Sequence, residues 1–196
     1  MPHAILREIP SVLQSQRLIL RCPQAGDGAL VHLAIVESLV ALRQFPASLP
    51  WAMREQSIES SEIFCRTAHA DFLAGKGFAY LVLDKTDSKL IGCAGLHRPD
   101  WDMSQIEIGY WCRSSQTGHG YISEAVRTLT DIALHHLPIT RVVLVTDEHN
   151  HPSMAVAHRT GFTLESTLPS VIPIPDSNLR TDIRRYSYVY HGGLPP

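Results

Sequence analysis

Gln105 to Ala125 reads QIEIGYWCRSSQTGHGYISEA, and the fold turns on how this stretch is divided. An apolar run rich in β-formers comes first, then a turn with glycines at 118 and 120, then a run with helical character. Amides at the start of a helix lack intrahelical acceptors and sit at the positive end of the helix dipole, so such a turn suits an anion, phosphate above all. Gly118 and Gly120 permit backbone torsions and a close approach that a Cβ would obstruct.

The spacing lacks the GxxxxGK[ST] pattern of a nucleoside triphosphate loop, and it has two glycines where the dinucleotide fingerprint has three. GYWCRSSQTGHGYISEA instead resembles the acyl-CoA loop of the GCN5-related N-acetyltransferases, which runs roughly [QR]xxGx[GA]. The similarity is to the branch of the ribosomal-protein N-terminal acetyltransferases. Downstream, beyond a helix and a strand, Asn150 to Phe162 (NHPSMAVAHRTGF) resembles that family's NxxSxxxxxxxGF. The resemblance extends from Gln16 to Tyr190.

It implies an α/β (α+β) fold over residues 1–196 as one domain. Its centre would be a mixed, mostly antiparallel sheet of about seven strands with about four helices on its faces, split between the two central strands. Acetyl-CoA is the implied cosubstrate. Its pyrophosphate would meet Gln116, Thr117, Gly118, His119, Gly120 and Tyr121, with the Ser123 hydroxyl just beyond. Its pantetheine arm would pair, like an added strand, with the backbone of Tyr110, Trp111 and Cys112, helped by Asn150 and Ser153.

Acetyl transfer to an amine needs proton removal and stabilisation of the oxyanion. The resemblance makes Glu107 the candidate base, acting directly or through water. Strand alternation puts Glu107, Gly109 and Trp111 on one face and Ile106, Ile108 and Tyr110 on the other. A salt-bridged strand carboxylate is the plainer reading of Glu107. Relatives often carry a tyrosine acid where this chain has Ala157, which leaves Ser153, a bound water or no residue to protonate the departing thiolate. Asn150 ahead of Pro152 also reads as an Asx turn, a role compatible with binding.

Two departures stand in the loop. Ser115 occupies the usual Gln or Arg position, with Gln116 beside it, and His119 replaces the usual Lys or Arg. A histidine titrates near 6.5 when unperturbed, so affinity for CoA is expected to rise at mildly acid pH.

The chain of 196 residues is 44% hydrophobic, enough for a sizeable core. Its formal charge is -2 and no basic run occurs, so the footprint of a nucleic-acid binder is missing. Cys22, Cys65, Cys93 and Cys112 lie far apart, which suggests neither a zinc site nor a disulfide framework. His149 and His151 do not form a spaced ligand set, so no metal is expected. With no signal-like start and no run of about 18 apolar residues, the expectation is a cytoplasmic protein that does not enter membranes. Dimers are common in the resembled family, so a homodimer is possible.

Along the chain, Gln16–Cys22 is β-prone, and Ala25–Gln44 reads as a helix with Leu30, Leu33, Val36, Val40 and Leu42 as its apolar face. A second helix starts at Ser57, with Ile58, Ile63, Phe64 and Phe72 as contacts. Phe78–Asp84 and Leu90–Leu96 flank a KTDS turn as a hairpin, and Met103–Cys112 is the next strand. His119–His136, Arg141–Thr146 and the short helix after Pro152 follow, then strands at Phe162–Leu168 and Ile183–Tyr190. Between these last strands lies a proline-containing loop of about 14 residues, long enough to suspect a binding wall. Phe45, Trp51 and Met53, with Pro169–Arg180, are candidates to line the amine site; ordinary loop packing is the alternative.

Two other functions compete with acetyl transfer. An acyl-CoA-binding protein without turnover would fit Ala157, and a nucleotide-binding domain would respond to ATP or NAD but not to CoA.

Overall fold

The strand, turn and helix read from Gln105–Ala125 occur as β5 (Gln105–Cys112), a short 3-10 turn at Ser114–Gln116, and α3 (Tyr121–His136). The computed structural model describes residue 6 and residues 9–46, 48–173 and 180–190, with side chains described outside 170–180. Before β5 come β1 (Val12–Gln14), β2 (Leu18–Arg21), α1 (Gly28–Leu42), α2 (Ile58–Leu73), β3 (Phe78–Asp84) and β4 (Leu90–Asp100). After α3 come β6 (Arg141–Asp147), α4 (His151–Arg159), β7 (Thr163–Pro173) and β8 (Arg180–Val189).

One mixed sheet runs in the order β1-β2-β3-β4-β5-β6-β8-β7. Every pairing is antiparallel except β5 with β6, whose connection through α3 allows them to run parallel. The sheet has eight strands rather than about seven. The extra one is β1, whose three residues are too short to show a period and are ordered by pairing with β2.

Side-chain alternation divides the core in two. Tyr80 and Val82 of β3 join Ile106, Ile108, Val126 and Leu129 on the α3 side, while Leu81 and Leu83 join Trp111, Val31 and Ile35 on the α1 side. Burying a side chain of this size contributes roughly 1.5–3 kcal/mol. β6 is buried on both faces at Val142, Val143 and Leu144, as its continuous apolar run predicts.

The α1 and α2 faces differ from expectation. Leu33, Val36 and Val40 point outward, and Val31, Ala34, Ile35 and Ser38 point in. On α2, Ile58, Ile63 and Phe64 are exposed, whereas Ser61, Cys65, Ala68 and Phe72 form the inner stripe. The cause is close packing of the two helices: a Cβ at Gly28 would come within 2.7 Å of Glu62. Of the expected contacts Leu42 and Phe72 are buried and Leu30 packs on the core, but small residues such as Gly28, Ala34, Ser38, Ser61 and Ala68 share the inward side, so apolar periodicity alone places the face only in part. The Ser57 cap is present as a capping box, Ser57 Oγ accepting from the Ser60 amide at 3.0 Å and Ser60 Oγ from the Ser57 amide at 2.9 Å.

β7 runs on to Pro173 and β8 begins at Arg180, so the expected long loop shrinks to the segment between them, which lies outside the described residues. Among the described residues, no helix is long and apolar enough to cross a membrane.

Candidate functional site

β5 and β6 are paired from Gln105↔Arg141 to Ile108↔Leu144, and there the ladder stops. β5 continues to Cys112 and β6 to Asp147 without further pairing between them. The gap leaves the main chain of Gly109–Cys112 facing that of Val145–Asp147, each strand still held on its other side by β4 and β8 respectively. Backbone polar groups left open in this way need a partner. This is the split between central strands that the resemblance implies.

At the mouth of the split stands the glycine turn. Gly118 and Gly120 have φ of 81° and 78°, a left-handed conformation that costs other residues roughly 1–2 kcal/mol. A Cβ at Gly118 would meet nothing within 4 Å, so torsion and not crowding by the chain itself accounts for glycine there. Gln116 and Thr117 lead into the turn, the latter bonded to the Ser114 carbonyl at 2.9 Å. Ser123 lies buried one turn into α3, its hydroxyl accepting from Arg159 Nε at 3.3 Å.

Two long-range anchors hold this turn. Glu37 of α1 accepts from the Ser115 amide at 3.0 Å and from Arg113 Nε at 2.6 Å. Hydrogen bonds from Ser115 and Arg113 hold its carboxyl down at about 2. On the other side, Arg17 donates to the His119 carbonyl at 3.0 Å and to Glu124 at 2.7 Å, and its guanidinium lies 4.7 Å from the centre of the Tyr121 ring. The His119 ring stacks against Tyr121 with centroids 5.7 Å apart. Arg17 thus brings a permanent cation to a turn whose usual lysine or arginine is histidine.

Along the split, the predicted alternation of faces is observed. Tyr110 turns toward α4, where its hydroxyl lies 2.9 Å from Ser153 Oγ and 3.2 Å from the Ser153 carbonyl. Burial pushes the Tyr110 phenol up. Asn150 forms the Asx cap, its side-chain oxygen accepting from the Ser153 amide at 3.1 Å. Among the described residues no acceptor meets the Asn150 side-chain NH2. Ala157 is fully buried and presents no polar group. Cys112 is half-buried and its thiol is pushed up to about 11 by burial, which keeps it protonated and unsuited to carry an acyl group.

On the opposite face, Glu107 is engaged rather than free. Arg98 Nη1 donates to both of its oxygens at 2.9 and 3.0 Å, and His97 Nε2 lies 3.3 Å from Oε1. Burial pushes the Glu107 pKa up, but contacts with His97 and Arg98 outweigh burial and hold it below the usual carboxylate range. Trp111 and Trp51 meet on this face with ring centroids 6.1 Å apart. The segment between α1 and α2 crosses from there to β6, where Ser48 Oγ accepts from the Asp147 amide at 2.9 Å. It therefore roofs the split on the Glu107 side, with Phe45 half-buried and Met53 exposed.

The turn residues, Tyr110, Asn150 and Ser153 thus gather around one split, with Glu107 across β5 from Ser153. His97, Arg98, Arg17 and Glu37 were not visible in the sequence, since none belongs to a motif and each arrives from a distant element or a strand irregularity.

A family model described as an acetyltransferase (GNAT) domain matches residues 17–163. The ribosomal-protein-serine acetyltransferase of Escherichia coli (strain K12) is 32% identical over 126 residues, 62% of this chain. The match spans 66% of that relative's own length, just under two thirds. Among solved structures, the microcin C7 self immunity acetyltransferase in complex with acetyl-CoA and AMP superposes with a TM-score of 0.81 at 23% identity, over 94% of this chain and 99% of that one. A ribosomal L7/L12 alpha-N-protein acetyltransferase in complex with coenzyme A gives 0.82 at 22% identity, over 93% and 97%. At these identities the likeness is one of fold.

Proposed function

Because the chain belongs to the acetyltransferase (GNAT) family, we propose that it transfers an acetyl group from acetyl-CoA to a primary amine, with the N-terminal amine of a protein or peptide as acceptor. The observation that carries this reading is the parting of β5 from β6 beyond Ile108 and Leu144, which opens a slot leading from the glycine turn to the surroundings of Glu107. The acceptor class is supported by the relatives, which include a ribosomal-protein-serine acetyltransferase. Acetyl-CoA, when bound, supplies a thioester carbonyl as the electrophile and a thiol as the leaving group.

The amides from Gly118 to Ser123, with Gln116, Thr117, His119 and Arg17 around them, would hold the pyrophosphate. Main-chain groups of Tyr110, Trp111 and Cys112 would pair with the pantetheine amides, and the Asn150 side-chain NH2 would donate to the arm. Ser153, hydrogen-bonded to Tyr110, would pass a proton to the departing thiolate as it takes one from solvent. The cluster around Glu107 would receive the proton lost by the amine. The transfer would be direct, from thioester to amine, since burial pushes the Cys112 thiol up to about 11 and disfavours it as an acyl relay. Trp51 and Trp111 would line the acceptor's approach. All these groups serve one site in a single domain.

A thiol-release assay with acetyl-CoA and a panel of peptides and small amines tests the reading, beginning with peptides that start with serine or alanine. Turnover with any primary amine supports it. Ala157 favours a second reading, acyl-CoA binding without transfer; tight CoA binding with no thiol release across the panel would establish that one instead.

A further inference from the structure

β4 and β5 pair residue for residue up to His97↔Glu107, and the register then slips before Asp100↔Gln105. At the slip, Arg98 adopts φ 49°, a left-handed conformation unusual for a residue with a side chain. The irregularity turns Arg98 back onto Glu107, whose two oxygens it holds. The His97 ring in turn lies over Gly109, where a Cβ would come 2.5 Å from its Cε1 and 3.1 Å from its Nε2. A side chain at 109 would push the ring out of this position. Gly109 is also the first β5 residue past the last pair with β6, so the imidazole lies at the closed end of the split.

This arrangement has the form of an oriented base. His97 Nε2 lies 3.3 Å from Glu107 Oε1, a proximity that favours the tautomer with its proton on Nε2 and its lone pair on Nδ1, and among the described residues nothing bonds Nδ1. The carboxylate itself already has contacts from Arg98 and His97 on its oxygens. The charged groups brought against the ring are Glu107 and Arg98; further along the same face, Arg185 of β8 holds Gln105 and Glu165.

We propose that His97 Nδ1 is the atom that takes the proton of the acceptor amine, with Glu107 and Arg98 as its positioning residues. The inference rests on the acetyl-transfer reading and deepens it. As the amine nitrogen bonds to the thioester carbonyl carbon, the C–S bond breaks with its electron pair on sulfur, and the N–H proton passes to His97 Nδ1 and then to solvent. No oxidant or further reactant is involved.

The test is kcat/KM against pH for the wild type, His97→Gln, His97→Ala with and without added imidazole, and Glu107→Gln, with the acetyl-CoA Kd and Tm of each. The expected result is a wild-type profile with an inflection from the group that takes the proton. His97→Gln should lose that inflection and about 10²-fold or more in kcat, with Kd for acetyl-CoA within about twofold of wild type on the same scale. Imidazole should restore part of the His97→Ala rate. Glu107→Gln should keep an inflection while lowering kcat, because the carboxylate orients the ring and does not itself take the proton. A His97→Gln variant with wild-type kcat and inflection overturns this inference alone, as does Glu107→Gln abolishing turnover while His97→Gln does not. Absence of thiol release from the wild type overturns it together with the acetyl-transfer reading.

Discussion

Glu37 accepts a hydrogen bond from the Ser115 amide at 3.0 Å across 78 residues of sequence. The glycine turn is thereby fastened to α1, the helix that leads into the roof over the split. The same carboxylate pairs with Arg113, so one side chain fixes both the end of β5 and the start of the turn.

Replacing Glu37 with Gln should loosen the turn without unfolding the protein. The pair is partly exposed and worth at most about 1 kcal/mol, so the Kd for CoA should rise by about fivefold or less. The Glu37 carboxyl is depressed to about 2 from an ordinary 4.5. Its stabilisation is therefore complete above the ordinary value and is lost as pH falls through the folded one. Titration calorimetry should find the wild-type and Glu37→Gln affinities differing at neutral pH and converging under strongly acid conditions. A difference that persists unchanged at low pH would contradict the assignment.

Gly120→Ala should destabilise the fold by roughly 1–2 kcal/mol, since φ is 78° there. The loss should fall more heavily on CoA binding than on Tm, because the strained residue opens α3. A Tm and a Kd both equal to wild type would show that the left-handed turn is not required.

His119 stands where the resembled family has lysine or arginine. His119→Lys should tighten CoA binding in calorimetry by restoring a permanent cation beside the pyrophosphate. An affinity unchanged by His119→Lys but weakened by Arg17→Ala would leave Arg17 as the cation that matters at this turn.

The Tyr110 and Ser153 hydroxyls, 2.9 Å apart, should act as a unit. Ser153→Ala should lower kcat by about 10²-fold or less, a modest loss because a thiol is already a fair leaving group. Tyr110→Phe should cost about 1 kcal/mol of stability and a smaller part of kcat. The double variant should lose less than the sum of the two losses. Fully additive losses in single-turnover rates would mean that the two hydroxyls act independently.

Much of this architecture was legible in the sequence because its signals are local. The hairpin around KTDS, the α3 stripe and the parallel return through β6 each follow from periodicity and turn chemistry over a few residues. The glycine turn and the faces of β5 were legible for the same reason. The buried side of α1 was legible only in part, since Leu30 and Leu42 pack inward as their spacing suggests while Gly28, Ala34 and Ser38 share that side and Leu33, Val36 and Val40 face out. The partners of Glu107 were not legible: its meeting with Arg98 depends on a slip in strand register, and no local pattern near Arg98 marks it. Arg17 and Glu37 reach the turn through tertiary packing alone, more than 70 residues away in sequence.

The central claim is that the split between β5 and β6 receives the arm of acetyl-CoA while the turn at Gly118–Ser123 receives its pyrophosphate. A crystal structure with CoA tests it most directly. The account predicts density for the pyrophosphate against the amides of that turn, the arm running between Gly109–Cys112 and Val145–Asp147, and the sulfur near Ser153 on one face and His97 on the other. CoA bound elsewhere, or a split closed by the protein's own side chains, would contradict it.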